Sequence, residues 1–276
     1  MNIKFNNVSF CYTKNKMALK NIDLTFDKSE IVFIMGHTGS GKSTLVQHLN
    51  GLLLGNEGSV DICIDDKRFS LSKSKKEKKV NELRKNIGMV FQFPEYQLFE
   101  TSVLKDVIFG PYNFYKDEKK AEEMAKRALN RMGIKESYYE KSPFDLSGGE
   151  KRKVAIAGVL ASNPKVLVMD EPTSSLDPLA SKEMMSLLKS LKDEGKLIIV
   201  ISHDTDLCYE YADRVIIMKE GEIIRDCNVE DAFNDLTVLD RASLVEPFVC
   251  KAKRILKIKD KPIRSIEELK EVIAHE

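Results

Sequence analysis

Residues 31 to 44 read IVFIMGHTGSGKST, an apolar run of strand length that breaks into a glycine-rich turn around one lysine. A stretch compatible with helix, LVQHLNGLL, follows at once. A strand apolar at every position must be covered on both faces, which puts it at the centre of a sheet. Glycine gives up backbone entropy on folding, so a turn that concentrates it needs bare backbone for some purpose. Gly36, Gly41, Lys42 and Ser43 stand at the defining positions of G-x-x-x-x-G-K-[ST], in the strand–loop–helix context this pattern requires. Backbone N–H groups from Gly36 through His37, Thr38, Gly39, Ser40 and Gly41 to Thr44 are expected to wrap an anion. The helix starting near Lys42 adds unpaired N–H groups and a positive dipole end. Lys42 is placed to reach β- and γ-phosphates, and the Ser43 hydroxyl to ligate Mg²⁺. His37 reads as a spacer whose backbone, not its ring, faces phosphate. The loop alone specifies a nucleoside triphosphate and nothing finer.

The second half of the site is KVLVMDEP, which carries four apolar residues through a sheet and delivers Asp170 and Glu171 at its carboxyl end. Ligands of open α/β sheets sit there. Two adjacent carboxylates beside a polyanion repel it unless a cation intervenes and one acid handles a proton. Asp170 is therefore expected to hold Mg²⁺, and Glu171 to orient and deprotonate an attacking water. The pairing favours hydrolysis over transfer to a small acceptor.

Elsewhere, NIDLTF and SVDICI alternate as half-buried strands, and NIGMVFQ and KLIIVIS read as further buried ones. DEKKAEEMAKRALNRMG opens with a capping-type Asp117, ends at Gly133 and carries an apolar stripe; DPLASKEMMSLLKSLKDEG is a second helix candidate. DRVIIMKEGEIIRD predicts a hairpin turning near Glu220 and Gly221. The alternation implies a mainly parallel α/β sheet interrupted by a helical insertion over about residues 93–163. Residues 1–228 form the expected main domain. The tail, 229–276, ends in a helix with a Ser265/Glu268 capping box and Ile266, Leu269, Val272 and Ile273 on one face. That face packs either on its own domain or on a second subunit. The basic run SLSKSKKEKK is expected to be a solvated face.

Lys plus Arg (44) nearly balances Asp plus Glu (43), which points to no polyanionic partner such as nucleic acid. Five scattered cysteines without a CxxC fit a reducing compartment and neither a disulfide frame nor a zinc site. The first ten residues lack an apolar signal core, and nowhere do about 18 apolar residues run together. A soluble or peripheral protein is expected, not a membrane-spanning one.

Residues 146–150 read LSGGE: Leu146, Ser147, Gly148, Gly149 and Glu150. Ser147 and two glycines opening a predicted helix make a second anion-binding N-terminus, one more than a single nucleotide needs. Here the sequence resembles the ATP-binding subunits of ABC transporters, whose signature usually reads LSGGQ. Ordered matches support the resemblance over about residues 3 to 225. They are Tyr12, the phosphate loop, Gln92 ending MVFQ, the signature, DEPTSSLDP, and His203 in VISHD. It implies a P-loop NTPase domain with a mainly parallel core sheet, an antiparallel β subdomain, an inserted helical subdomain and a short helical C-terminal extension. It implies ATP as substrate, Mg²⁺ as cofactor, and a head-to-tail dimer in which each signature caps the partner's nucleotide. By position, Gln92 would touch Mg²⁺ and the attacking water, and His203 the γ-phosphate. Asp177 would report across the interface, and Tyr12 would stack on adenine unless it is a plain strand aromatic. Glu150 departs from the pattern; turned inward it would weaken binding, and turned away it would change little.

The stretch FQFPEYQLFETSVLKDVIFGP, with RKVAIAGVLASNP, looks like the second of two paired ATPases in energy-coupling factor transporters. The resemblance implies a heterodimer with a second homologous ATPase (a homodimer being the alternative). It also implies a transmembrane coupling subunit, a substrate-capturing membrane protein, and uptake of a vitamin or transition-metal ion. The place implied is peripheral, on the cytoplasmic face of the cell membrane, with the tail joining the ATPases. Phe91, Phe93, Tyr96, Leu98 and Phe99 are expected to form the docking groove. The competing readings are an ATPase of another importer branch and a soluble ABC protein. Chromosome-type members insert a long coiled coil and translation-type members carry two cassettes, and neither occurs here. A P-loop kinase would leave LSGGE and His203 unexplained.

Overall fold

The computed structural model describes residues 1–13, 16–73, 79–258 and 263–274. Residues 74–78 of the basic run, expected to be solvated, lie outside them. The chain opens with β1 (Asn2–Thr13), β2 (Lys16–Phe26) and β3 (Ile31–Met35), followed by α1 (Lys42–Gln47), β4 (Glu57–Ile64) and β5 (Lys67–Leu71). Next come α2 (Val80–Asn86) and β6 (Ile87–Val90). The helical stretch contains α3 (Val103–Tyr115), α4 (Glu118–Arg131) and α5 (Gly148–Leu160). Strand–helix alternation resumes with β7 (Val166–Asp170), α6 (Pro178–Asp193), β8 (Leu197–Ile201), α7 (Thr205–Tyr211), β9 (Arg214–Lys219) and β10 (Glu222–Asn228). The tail holds α8 (Val229–Asn234), α9 (Leu236–Ala242), α10 (Phe248–Leu256) and α11 (Ile266–Ala274).

Two sheets result. One is antiparallel, in the order β2-β1-β4-β5; the other runs β10-β9-β3-β8-β7-β6. In the second, β9, β3, β8, β7 and β6 are parallel, and β10 returns antiparallel from β9 through the expected turn at Glu220 and Gly221. Because side chains alternate along a strand, β3 feeds both sides. Val32 and Ile34 pack with Ile3, Phe5 and Phe26 of the antiparallel sheet. Phe33 and Met35 pack with Val154, Leu188 and other helical residues on the opposite side. Coverage of both faces is why IVFIM contains no polar residue.

The insertion is built as its sequence requires. Asp117 caps α4 by accepting the Lys120 N–H at 3.1 Å, and Ala121, Met124, Ala125, Ala128 and Leu129 are its buried stripe. Gly133 ends the helix at φ 71°. The tail shares the helical-side core, to which Val229, Phe233, Leu239, Val249 and Leu269 belong. The Ser265/Glu268 box forms, with Glu268 N–H donating to Ser265 Oγ at 3.1 Å. Arg264 ties the start of α11 to Glu230 (2.9 Å) and to the Ala212 carbonyl (3.1 Å). The predicted apolar stripe splits: Leu269 is buried and Val272 packs on the core, while Ile266 and Ile273 face outward.

Candidate nucleotide site

The phosphate loop leaves β3 through positions where backbones nearly touch. A Cβ on Gly36 would lie 2.2 Å from the Met218 carbonyl oxygen, and one on Gly41 would lie 2.6 Å from that of Ala18. Both glycines also hold positive φ, at 141° and 107°. The loop is pinned from outside: the Gly221 N–H donates to the Ser40 carbonyl at 3.0 Å, while Ser40 N–H donates to His37 at 3.1 Å. Lys42 Nζ folds over the turn and donates to the carbonyls of Gly36 (2.7 Å) and His37 (3.0 Å). Burial pulls the Lys42 pKa down, against the opposing charges of Glu171 and Asp170. His37 turns its ring to the Thr38 carbonyl (2.8 Å), in keeping with a spacer. Thr38 and Gly39 are exposed at the rim.

Tyr12 projects from β1 and is 62% exposed, its hydroxyl 3.1 Å from Thr44 Oγ1. With Met17, Gly39, Gly41 and Lys42 it lines a cavity of about 280 Å³. Thr44 itself is buried, so its hydroxyl supports the wall from behind.

Asp170 and Ser43 meet across 127 residues of sequence: Ser43 Oγ donates to Asp170 Oδ2 at 3.0 Å. Burial raises the Asp170 pKa, the Ser43 hydrogen bond pulls it back, and the Glu171 charge adds to the rise. Next to it, Glu171 takes φ 50°, donates its N–H to Ile201 at 2.9 Å and places Oε1 2.9 Å from His203 Nδ1. The Glu171 side chain is 15% exposed and that of His203 77%. Gln92 follows β6 at the same end of the sheet, since β6 pairs with β7 up to Val90 and Met169. Its side chain is exposed.

A hydroxyl and a carboxylate are hard oxygen donors of the kind Mg²⁺ takes. Among the described residues, no group of three or more His, Cys, Asp or Glu could hold a metal unaided. Mg²⁺ suits such a sparse donor set, because it keeps several waters and draws other ligands from substrate phosphates.

The signature turn lies elsewhere. Ser147 caps α5, and Glu150 completes a capping box: its Oε2 accepts the Ser147 N–H at 2.9 Å and the Ser147 hydroxyl at 2.7 Å. These two bonds hold the Glu150 carboxyl below its ordinary pKa. Glu150 is thus folded back onto the N-terminus of its own helix. Leu146 departs from the expected role, since its side chain is buried in the core and cannot line a ligand. Asp177 caps α6, its Oδ1 accepting the N–H groups of Leu179 and Ala180, both at 2.9 Å. Ser147, Gly148, Gly149, Glu150 and Asp177 line one cavity of about 670 Å³. The phosphate loop opens on the other cavity, beside Tyr12.

The aromatic stretch after Gln92 also divides. Phe93, Tyr96 and Phe99 are exposed, but Leu98 is buried in the helical-side core and Phe91 packs against the other core. The expected five-residue groove is therefore three exposed rings on two anchors. Sequence reasoning passed over Arg152, a buried arginine in the second turn of α5. It donates to the carbonyls of Ser174 (2.8 Å), Pro172 (2.8 Å) and Glu171 (3.2 Å). Its only signal was a charged residue on the helical face it shares with Ile156, four residues on, which is buried.

Comparison with known proteins agrees with this geometry. Residues 19–174 match the ABC transporter family. An energy-coupling factor transporter ATP-binding protein, EcfA2, from Mycoplasmopsis synoviae is 44% identical over 267 residues, covering 90% of this chain and 86% of that protein. The protein of the same name from Streptococcus pneumoniae serotype 2 is 43% identical, covering 98% and 99%. Among solved structures, cbiO1 from Clostridium perfringens, described as part of the ABC transporter complex cbiONQ, superposes with TM-score 0.73. It is 37% identical and covers 93% of this chain and 98% of that one. A dimeric bacterial ABC transporter cassette gives TM-score 0.71 at 32% identity, covering 82% and 98%. With the phosphate loop, the acidic strand end and the signature turn all in place, this chain belongs to the ABC transporter ATPases, within the energy-coupling factor group of ATP-binding proteins.

Proposed function

We propose that this ATPase works as one half of a head-to-tail pair that drives uptake of a vitamin or transition-metal ion through a separate membrane-spanning subunit. The observation that carries the reading is the separation of its two half-sites. Lys42 and Ser43 line one cavity, with Asp170 hydrogen-bonded to Ser43 and Glu171 next to it in sequence, while the Ser147 turn and Asp177 line another. Each half lacks what the other offers, and two such folds placed head to tail complete both. The second ATPase is a homologue rather than an identical copy, as the names of the relatives support.

In the working complex Tyr12 stacks on adenine, and Lys42 exchanges the Gly36 and His37 carbonyls for phosphate oxygens. Ser43, Asp170 and Gln92 would hold Mg²⁺, which would neutralise phosphate charge. Glu171 takes the proton of the attacking water, and His203 holds the carboxylate in place until the γ-phosphate recruits its ring. Residues 1–228, with the helical subdomain at 93–163, form the ATP-binding unit, and 229–276 contribute to pairing. Phe93, Tyr96 and Phe99 face the membrane subunit, so attachment is peripheral, on the cytoplasmic side. Among the described residues no helix is long and apolar enough to cross a membrane.

Glu171→Gln should stop turnover and trap an ATP-stabilised dimer, measured by size-exclusion chromatography. Loss of turnover without trapping would sink the general-base assignment. Tagged protein purified from membranes should bring a second ATPase and an integral protein with it. Isolation of the chain with neither overturns the coupling-factor reading.

A further inference from the structure

Glu171 adopts φ 50°, a left-handed backbone that an L-residue holds only when its surroundings impose it. Its N–H is fixed by the Ile201 carbonyl of β8 at 2.9 Å. Its carbonyl is fixed from the opposite side by Arg152, whose guanidinium also takes the carbonyls of Pro172 and Ser174. One buried side chain from the signature helix thus holds the turn that presents Glu171. Arg152 retains a donor with nothing to bond: its Nε–H is buried and unpartnered. Glu95, in the turn Pro94–Gln97 between exposed Phe93 and Tyr96, has a buried Oε2 that is likewise unpartnered. Both residues line the 670 Å³ cavity, and the Glu95 charge is felt at Arg152. A buried donor and a buried acceptor of opposite charge, each costly to leave unpaired, thus belong to two residues that line the same cavity.

We propose that Arg152 is a positioning residue for ATP hydrolysis, holding the Glu171 turn in working geometry, and that Glu95 adjusts this hold from the exposed segment after Gln92. Movement of that segment brings Glu95 Oε2 onto Arg152 Nε–H or withdraws it. The signature helix, the exposed aromatic segment and the base are thereby joined through one guanidinium. The inference rests on Glu171 being the base.

The experiment compares Arg152→Lys, Glu95→Gln, their double variant and Glu171→Gln, in the full chain assembled with its partner ATPase. Lysine keeps the charge but cannot span three carbonyls. Arg152→Lys should lower kcat by about 100-fold, the scale of a small misplacement of a catalytic group. KM for ATP should stay within about twofold, because the phosphate loop is untouched. Glu95→Gln should lower kcat by less, and the double variant should be no worse than Arg152→Lys alone, since the two act through one group. A parallel rise in KM with the fall in kcat makes Arg152 a folding contact only and overturns the proposal. Multiplying losses in the double variant remove Glu95 from it. If Glu171→Gln itself keeps turnover, the base reading fails first; normal kcat in Arg152→Lys beside a dead Glu171→Gln sinks the positioning role alone.

Discussion

The Ser147 hydroxyl, the group expected to meet a partner chain's phosphate, donates instead to Glu150 Oε2 of its own helix at 2.7 Å. The same oxygen takes the Ser147 N–H at 2.9 Å, so a carboxylate sits at the turn to which the proposed function brings a partner's phosphate. If a partner's phosphate docks at this turn, it meets that carboxylate and its charge. Glu150→Gln should therefore strengthen ATP-driven dimerisation, lowering the ATP needed for half-maximal dimer on the order of fivefold, the scale of one like-charge contact near water. Glutamine can still close a capping box, so α5 survives the change. Dimer formation measured by light scattering in the Glu171→Gln background tests this, and an unchanged or higher ATP requirement refutes it.

Asp170 is held against its preference. Burial raises its pKa, so the unfolded chain gives up the proton before the folded chain does. Stability is thus lost as pH rises from the unfolded value through the folded one, and above both the ionised group remains a standing cost. Asp170→Asn should raise the melting temperature of the ligand-free protein at neutral pH. It should also lower Mg²⁺-dependent turnover on the order of 100-fold, as removal of a preorganised electrostatic group does. A lower melting temperature would show that the Ser43 hydrogen bond outweighs desolvation.

Local chemistry made much of this legible before any coordinates. The buried β3, the loop after it and the acidic end of β7 each announce themselves within a dozen residues, and ligands of open sheets gather where strands end. That rule alone brings Ser43 to Asp170. The Ser147-x-x-Glu150 spacing is also a capping box in plain sight, obscured because the same letters read as a nucleotide signature. Leu98 and Phe91 were harder, since an irregular segment has no periodicity to say which side chains turn inward. Arg152 was hidden for another reason: its partners are backbone carbonyls, which carry no letter of their own. Helical period placed Ile266, Leu269, Val272 and Ile273 on one face but could not apportion that face between the chain and solvent.

Tyr12 offers two separable contributions, a ring and a hydroxyl. The ring is largely exposed beside the phosphate-loop cavity, and the hydroxyl reaches Thr44. Stacking of a base on an aromatic ring is worth about 1–3 kcal/mol. Tyr12→Ala should then raise the Kd for ATP about tenfold, while Tyr12→Phe, which keeps the ring, should stay within about twofold. Titration with a fluorescent ATP analogue distinguishes them. Equal losses in both variants would assign the effect to the Thr44 contact.

The last prediction uses the divided stripe of α11. Leu269 is buried against the chain's own core, so Leu269→Ala should cost about 2–5 kcal/mol of stability, as buried leucines do. Ile273 lies one helical repeat beyond Ile266 on the outward side, and both are exposed. Ile273→Glu should therefore change stability by no more than about 0.5 kcal/mol. If the tail helps join the ATPases, the same substitution buries a charge at the junction and should weaken pairing with the partner ATPase, read by analytical ultracentrifugation. Chemical denaturation of the single chain supplies the stability half. Normal pairing in Ile273→Glu would leave α11 as a clasp on its own domain, held by Leu269 and Arg264, and would move the junction elsewhere.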